Sequence, residues 1–412
     1  MRSDRWLVVF IVLVLAVATT IFVVKGERLG ETVEKTIQAP SGSLSVLVVG
    51  LEGLDLSIVE ELVAEGRLPN LERLMSEGST ASFNTLGKLV DKKIAWTSLV
   101  TGVSPENQGI GGTMVSPTKG VPVQAPLIPE SRTVGTLWTA LSDAGTRVGV
   151  LGWWGTWPVE EIDGVMMAPY ETYYLEKTHS RTMTERLIYP PELDDSAWAV
   201  VHSPESYRRA DLSMFVNTEE GLGLEALIGM GYDDLARAYA ADTSMHGLAI
   251  EMASELNLEA ELVLLPGACI VGETFWHMAH PEDMRWEDLP EASAEQFERQ
   301  IPALRDVMRR YYVMLDGLLG DLLQLAGADA TVAVVSDHGM EGWVYGRDGN
   351  PLLGPNMYDE TGFWVMSGPR VREGVKLHDL ELIDFAPTLA AAAGIEMGHE
   401  PEGRVCRDAL ID

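Results

Sequence analysis

Residues 44–55 read LSVLVVGLEGLD, an almost unbroken apolar run closed by Gly50 and Gly53. A run with no polar alternation suits a central strand of a parallel sheet, covered on both faces. The next stretch, SIVEELVAEGRLPNLERLMSEG, shows helical periodicity twice, with Gly66 and Gly78 as stops. The alternation recurs downstream. Strands are expected over 146–154, 260–271 and 331–337, and helices over 132–145, 233–257, 294–326 and 380–394. This order implies a doubly wound, mostly parallel α/β sheet flanked by helices. Reactive groups in such sheets lie at the carboxyl ends of the strands, where Glu52 and Asp337 fall. Between about 155 and 232 the pattern dissolves into a stretch rich in aromatics, proline and charge, read as an insert or cap over the sheet edge. No internal repeat is evident, and neither a G-x-x-x-x-G-K-[ST] nor a G-x-G-x-x-G after a strand occurs.

With 412 residues, 46% of them hydrophobic, a sizeable core is assured. The formal charge of −32 opposes nucleic-acid phosphates as partners. It otherwise fits a solvated acidic surface. Cys269 and Cys406 are the only cysteines, so no disulfide framework holds the fold.

After Arg2 and Arg5, residues Trp6 to Val24 are uncharged and about as long as a helix needs to cross a bilayer. This stretch is read as an uncleaved signal anchor, although Ala16-Val17-Ala18 offers a cleavage-like alternative. Residues 1–5 are expected in the cytoplasm by the positive-inside tendency, which Lys25 and Arg28 weaken. Residues 25–43 then form a polar linker, and the domain over 44–412 is expected outside the cytoplasm, attached to the cell membrane by a single pass.

Residues 331–340, TVAVVSDHGM, deliver an acid and a histidine at the end of the third strand. Together with VVGLEGLD and AWTSLVTGVSPENQGI, this stretch resembles the alkaline phosphatase superfamily, specifically its type I phosphodiesterase and nucleotide pyrophosphatase branch. The resemblance continues through GWWGTWPVEEIDGVMMAP, YPPEL, ETFWH, GFWVMSGPRVREG and DFAPTLAAAAGIEMGHEPEGR, covering nearly all of 44–412. It implies a two-zinc hydrolase in which a Ser or Thr, held on one metal, attacks phosphorus, with the metals about 4 Å apart.

Position by position, the resemblance is uneven. Its first acidic ligand falls on Glu52, where the family usually has Asp, and its Asp-His pair falls on Asp337 and His338. These three form a residual first metal site. The nucleophile position, ten residues before Gly102, holds Lys92. Thr97 and Ser98 lie too far along the following helix to replace it. The second metal's positions fall on Cys269, Glu273 and Tyr358. At most one zinc is therefore expected, and not a second. Cys269 also reads as a small buried hydrophobe at a strand end, His277 and His280 as an ordinary H-x-x-H spacing on a surface helix, and the tryptophans of GWWGTWP as packing.

Glu52 and Asp337, converging without a cation, would raise one another's pKa, and the Lys92 ammonium is expected to replace the missing positive charge between them. Three functions follow as expectations. The first is a catalytically impaired ectodomain acting as a binding or regulatory module for a protein or phosphoester ligand. The second is a remodelled single-metal hydrolase, and the third a structural envelope component.

Overall fold

The computed structural model describes residues 42–86, 91–110, 113–115, 122–124, 128–179, 186–208, 211–217, 231–283, 291–341 and 357–411. The expected anchor at 6–24 and most of the linker lie outside them. Among the described residues no helix is long and apolar enough to cross a membrane.

Strand β1 (Leu44–Leu51) is followed by α1 (Leu56–Ala64), α2 (Pro69–Glu77), β2 (Ser79–Asn84), α3 (Lys92–Thr101) and the short α4 (Pro105–Gln108). Next come β3 (Thr113–Val115), β4 (Pro122–Gln124), α5 (Leu137–Asp143), β5 (Val148–Leu151), β6 (Gly164–Met167), α6 (Tyr170–His179), β7 (Ile188–Tyr189) and α7 (Asp194–Val200). They are followed by α8 (Tyr232–Leu256), β8 (Ala260–Leu265), α9 (Gly267–Ala279), α10 (Glu291–Leu304), α11 (Val307–Leu323) and β9 (Ala326–Ser336). The remaining elements are β10 (Gly339–Glu341), β11 (Met357–Asp359), β12 (Thr361–Ser367), β13 (Val375–Glu381) and α12 (Phe385–Ala393).

A nine-stranded mixed sheet in the order β13-β2-β12-β9-β1-β8-β5-β6-β7 carries the fold. Its centre is parallel: β1 pairs with β8 and β9, and β5 with β8 and β6. Strand β12 runs antiparallel to β9 and β2, and β7 antiparallel to β6. Every residue of β1 except Ser45 is buried, as its apolar run demands. The carboxyl ends of β1, β8, β9 and β5 therefore open onto one edge, and the site lies there.

Three local expectations need correction. The run 260–271 is not one strand, because β8 ends at Leu265 and α9 begins at Gly267. Pro266 has no N–H for a ladder, and the Gly267 N–H donates instead to the buried Asp242 carboxylate at 2.9 Å. The helical stretch 294–326 is two helices, α10 with Pro302 inside it and α11 beyond Asp306. The 155–232 stretch is partly sheet, since β6 and β7 extend the edge next to β5.

Helix α2 has no side-chain cap of its own at Leu68. Asp316 of α11 supplies one, accepting from the Leu71 N–H at 2.9 Å and from the Asn70 N–H at 3.2 Å. Asp316→Ala leaves these donors without their acceptor and is expected to lower unfolding free energy by about 1–3 kcal/mol. Denaturant unfolding of the purified protein measures this, and an unchanged midpoint would show that the cap contributes nothing.

Candidate active site

Glu52 follows β1, and Gly53 turns the chain with φ +72°. A Cβ at Gly53 would come within 2.7 Å of Cys269 Cα and Cβ. Only glycine accepts both the backbone angle and this approach, and the loop after β1 consequently rests on the first turn of α9. Hydrogen bonds stitch it to the loop after β9. The Leu54 N–H donates to Ser336 Oγ at 2.9 Å, and that hydroxyl donates to the His338 carbonyl at 3.0 Å. Asp55 caps α1 and also accepts the Met340 N–H at 3.3 Å. The Asp55 N–H donates to the Tyr312 hydroxyl at 2.9 Å.

These loops bring Glu52, Cys269 and His338 together, all buried, with one ligand atom from each within 4.8 Å of the others. It is the one such group of potential metal ligands among the described residues. His338 Nδ1 lies 2.8 Å from the Gly339 carbonyl, which can only accept, so the proton sits on Nδ1 and Nε2 keeps its lone pair. Asp337 stands alongside, its Oδ1 3.7 Å from His338 Nε2. Glu52 Oε1 and Asp337 Oδ1 are buried with no hydrogen-bond partner among the described residues.

The electrostatics follow from this burial. Desolvation pushes the Glu52 carboxyl up to about 7, and the Asp337 charge adds to it; Lys92, His338 and the Trp154 N–H pull the other way. Burial likewise raises Asp337 to about 7 against its backbone hydrogen bonds and the Lys92 charge. Burial lowers His338 and lifts the Cys269 thiol far above its ordinary range.

Lys92, the first residue of α3, has its Nζ 3.8 Å from Glu52 Oε1, with its side chain one-third exposed at 34%. The ammonium also lies 3.9 Å above the Trp154 ring. Burial works against the charge, but Glu52 and the surrounding acids outweigh it and raise the Lys92 pKa. The expected lysine substitution for a cation is thus seen at Glu52, while Asp337 feels the charge at longer range. Thr97 and Ser98 are buried farther along α3, where Ser98 Oγ donates to Gln108 at 3.2 Å.

The positions expected for a second metal lie on α9 and β11. Cys269 belongs to the cluster with Glu52 and His338, and its thiol lies 3.8 Å from Glu273 Oε1. Cys269 is in the first turn of α9, not at a strand end. Tyr358 is placed in β11 opposite Met340. His277 is buried against Phe297 and His280 stacks on Trp276, so the two histidines do not form a ligand pair.

Trp154 is the site residue that sequence reasoning missed. Its indole N–H donates to Glu52 Oε2 at 2.7 Å. Trp153 does pack, edge-on to Trp96 at 5.1 Å. The signal was the position of the pair just past the carboxyl end of β5, an edge where one of two adjacent side chains must face the crevice.

Carboxylate, imidazole and thiol donors within 4.8 Å of one another suit a single borderline-soft ion such as zinc, and the cluster is a possible metal-binding triad.

The sequence profile of the type I phosphodiesterase / nucleotide pyrophosphatase family matches residues 46–359. Among solved structures, human ectonucleotide pyrophosphatase/phosphodiesterase 5 aligns with a TM-score of 0.48 at 13% identity, covering 89% of this chain and 100% of that one. A phosphonate monoester hydrolase from Silicibacter pomeroyi aligns with a TM-score of 0.43 at 14% identity, covering 88% and 76%. Phosphonoacetate hydrolase from Sinorhizobium meliloti, in complex with phosphonoformate, aligns with a TM-score of 0.37 at 17% identity, covering 76% and 60%. No curated protein matches the chain.

Asp242, which holds the start of α9, is raised to about 7 from 3.8 by burial, opposed by hydrogen bonds from Tyr311 and Gly267. A carboxyl raised in the folded state contributes stability that is complete below its unfolded pKa and lost as pH rises through its folded one. Asp242→Asn keeps an acceptor for the Gly267 N–H. The variant should therefore lose less stability than the wild type between about pH 4 and about pH 7. Unfolding midpoints across that range test this, and parallel pH profiles would refute it.

Proposed function

The chain belongs to the type I phosphodiesterase / nucleotide pyrophosphatase family, and from that premise we propose that it is a member whose two-metal hydrolysis has been lost and whose pocket serves binding. The observation that carries this reading is the Lys92 ammonium, 3.8 Å from Glu52 at the position where the resemblance expects the nucleophile. A protonated amine has no lone pair with which to attack phosphorus. Of the hydroxyls farther along the same helix, Ser98 Oγ is engaged with Gln108 at 3.2 Å. Residues 6–24 would anchor the domain to the outer face of a cell membrane, and Lys92 would give an entering phosphoester anion a charge partner.

A second reading is favoured by the Glu52, Cys269 and His338 cluster. Those three residues would hold one zinc, which when bound supplies an acidified water as nucleophile. Asp337, beside His338, would then accept a proton. One experiment separates the readings: hydrolysis of bis-p-nitrophenyl phosphate by the full-length protein, with zinc added and with chelator. The expected result is no turnover above background in either condition. Zinc-dependent turnover that vanishes in Asp337→Ala would overturn the binding reading in favour of the single-metal enzyme.

A further inference from the structure

We propose that a pocket at the opposite edge of the sheet from Glu52 binds an alkyl carboxylate. Its head would be held by Arg370 and Arg407, and its apolar chain would lie on Ala391, Val405, Leu410 and Ile411. The pocket has a volume of about 500 Å³, within the range of small-molecule sites. All of its lining residues lie beyond the matched family profile, which ends at 359. Strand β12 runs antiparallel to β9, with Ser367 opposite Val332, so the residues after β12 lie past the amino end of β9. Glu52 and Asp337 stand past the carboxyl ends of their strands, and the two places share no residue.

Three segments build the pocket. The Ile411 N–H donates to the Arg370 carbonyl and the Arg372 N–H to the Ala409 carbonyl, each at 2.8 Å, which ties 407–411 to the loop after β12. The Cys406 N–H donates to Thr388 Oγ1 at 3.0 Å and brings α12 in as the third wall. Gly394 ends α12 with φ +72°, and a Cβ there would stand 3.2 Å from Arg370 Nη1. The guanidinium therefore rests over the carboxyl end of that helix, where a cation is favoured. This contact positions Arg370 without neutralising it. In a chain of formal charge −32, the pocket is lined by two cations and no acid; Asp408, next to Arg407, is outside the lining. Neither guanidinium has an ion-pair partner among the described residues. A guanidinium presents its N–H groups as a planar fork that matches a carboxylate. The field of the whole chain opposes a dianion about twice as strongly as a monoanion, which favours a carboxylate head over a phosphate. Ile411 is 54% exposed, and an apolar chain laid over it and Leu410 removes that surface from water.

The test is a ligand-observed NMR titration of the full-length protein with hexanoate, acetate and hexyl phosphate. Hexanoate should bind about tenfold more tightly than acetate, the gain from half-burying the four added methylenes. Arg370→Gln and Arg407→Gln should each weaken hexanoate binding about tenfold. Ile411→Ser should narrow the gap between hexanoate and acetate. Arg370 also rests on the end of α12, and if its variant fails to fold, Arg407→Gln, at an exposed position, decides the matter. Lys92→Met should leave hexanoate binding unchanged. No hexanoate binding, equal affinity for acetate, an Arg407→Gln protein that binds like the wild type, or loss of binding in Lys92→Met would each overturn the proposal. Hexyl phosphate bound more tightly than hexanoate by the Lys92→Met protein would overturn the carboxylate head. The pocket does not rest on the reading of the crevice, since phosphodiester turnover would sink that reading and leave carboxylate binding untouched.

Discussion

A carboxylate at the end of the central strand, 1% exposed, is the constraint to which the rest of the site answers. Glu52 cannot move away from the core, because β1 is held between β8 and β9 in a fixed parallel register. An uncompensated charge there is costly, and its pKa rises accordingly. Three neighbours reduce that cost: the Lys92 ammonium near one oxygen, the His338 imidazole, and the Trp154 indole N–H on the other oxygen. Trp154 follows β5, Lys92 opens α3 and His338 follows β9, so separate segments meet at this carboxylate.

The loops of this crevice are tied together away from its potential ligand atoms. Ser336, Asp55 and Tyr312 join the loops after β1 and β9 through hydrogen bonds that involve none of the potential ligand atoms. Asp242 fixes the start of α9 in the same way, accepting the Gly267 N–H while its other oxygen accepts from Tyr311 at 2.7 Å. A preorganised frame of this kind can retain the geometry of a site while the residues within it change. That is consistent with Asp337 and His338 standing where the resemblance expects ligands while Lys92 stands where it expects the nucleophile.

The parts of the structure legible in the sequence were those governed by burial along the chain. The continuous apolar runs at 44–51 and 331–336 announced β1 and β9, and the crevice position of Glu52 and Asp337 followed from strand polarity. The boundary after β8 was hidden because ELVLLPGACIV is apolar on both sides of Pro266, and periodicity cannot divide a buried strand from a buried helix. The grouping of Cys269 with Glu52 and His338 was illegible for another reason. It depends on contact between Gly53 and the α9 backbone, a relation between segments more than two hundred residues apart. Trp154 was misjudged because a tryptophan beside a sheet most often packs, and its neighbour Trp153 does.

The place of Lys92 on its helix argues that the substitution is compensated rather than neutral. A lysine at the first position of α3 sits at the positive end of the helix dipole, where a cation is disfavoured. Asp91, the N-cap, offsets part of this by accepting the Lys93 N–H at 2.8 Å, but its side chain is turned to the backbone and not to the ammonium. The remaining compensation comes from the buried acids in front of the helix, Glu52 first among them, and from the Trp154 face. Removing the acids would leave the lysine unfavourable, and removing the lysine would leave the acids unneutralised. The two changes from the family pattern, a lengthened acid at 52 and a cation at 92, are therefore two halves of one electrostatic arrangement, in which the longer glutamate carries its oxygen to within 3.8 Å of the ammonium.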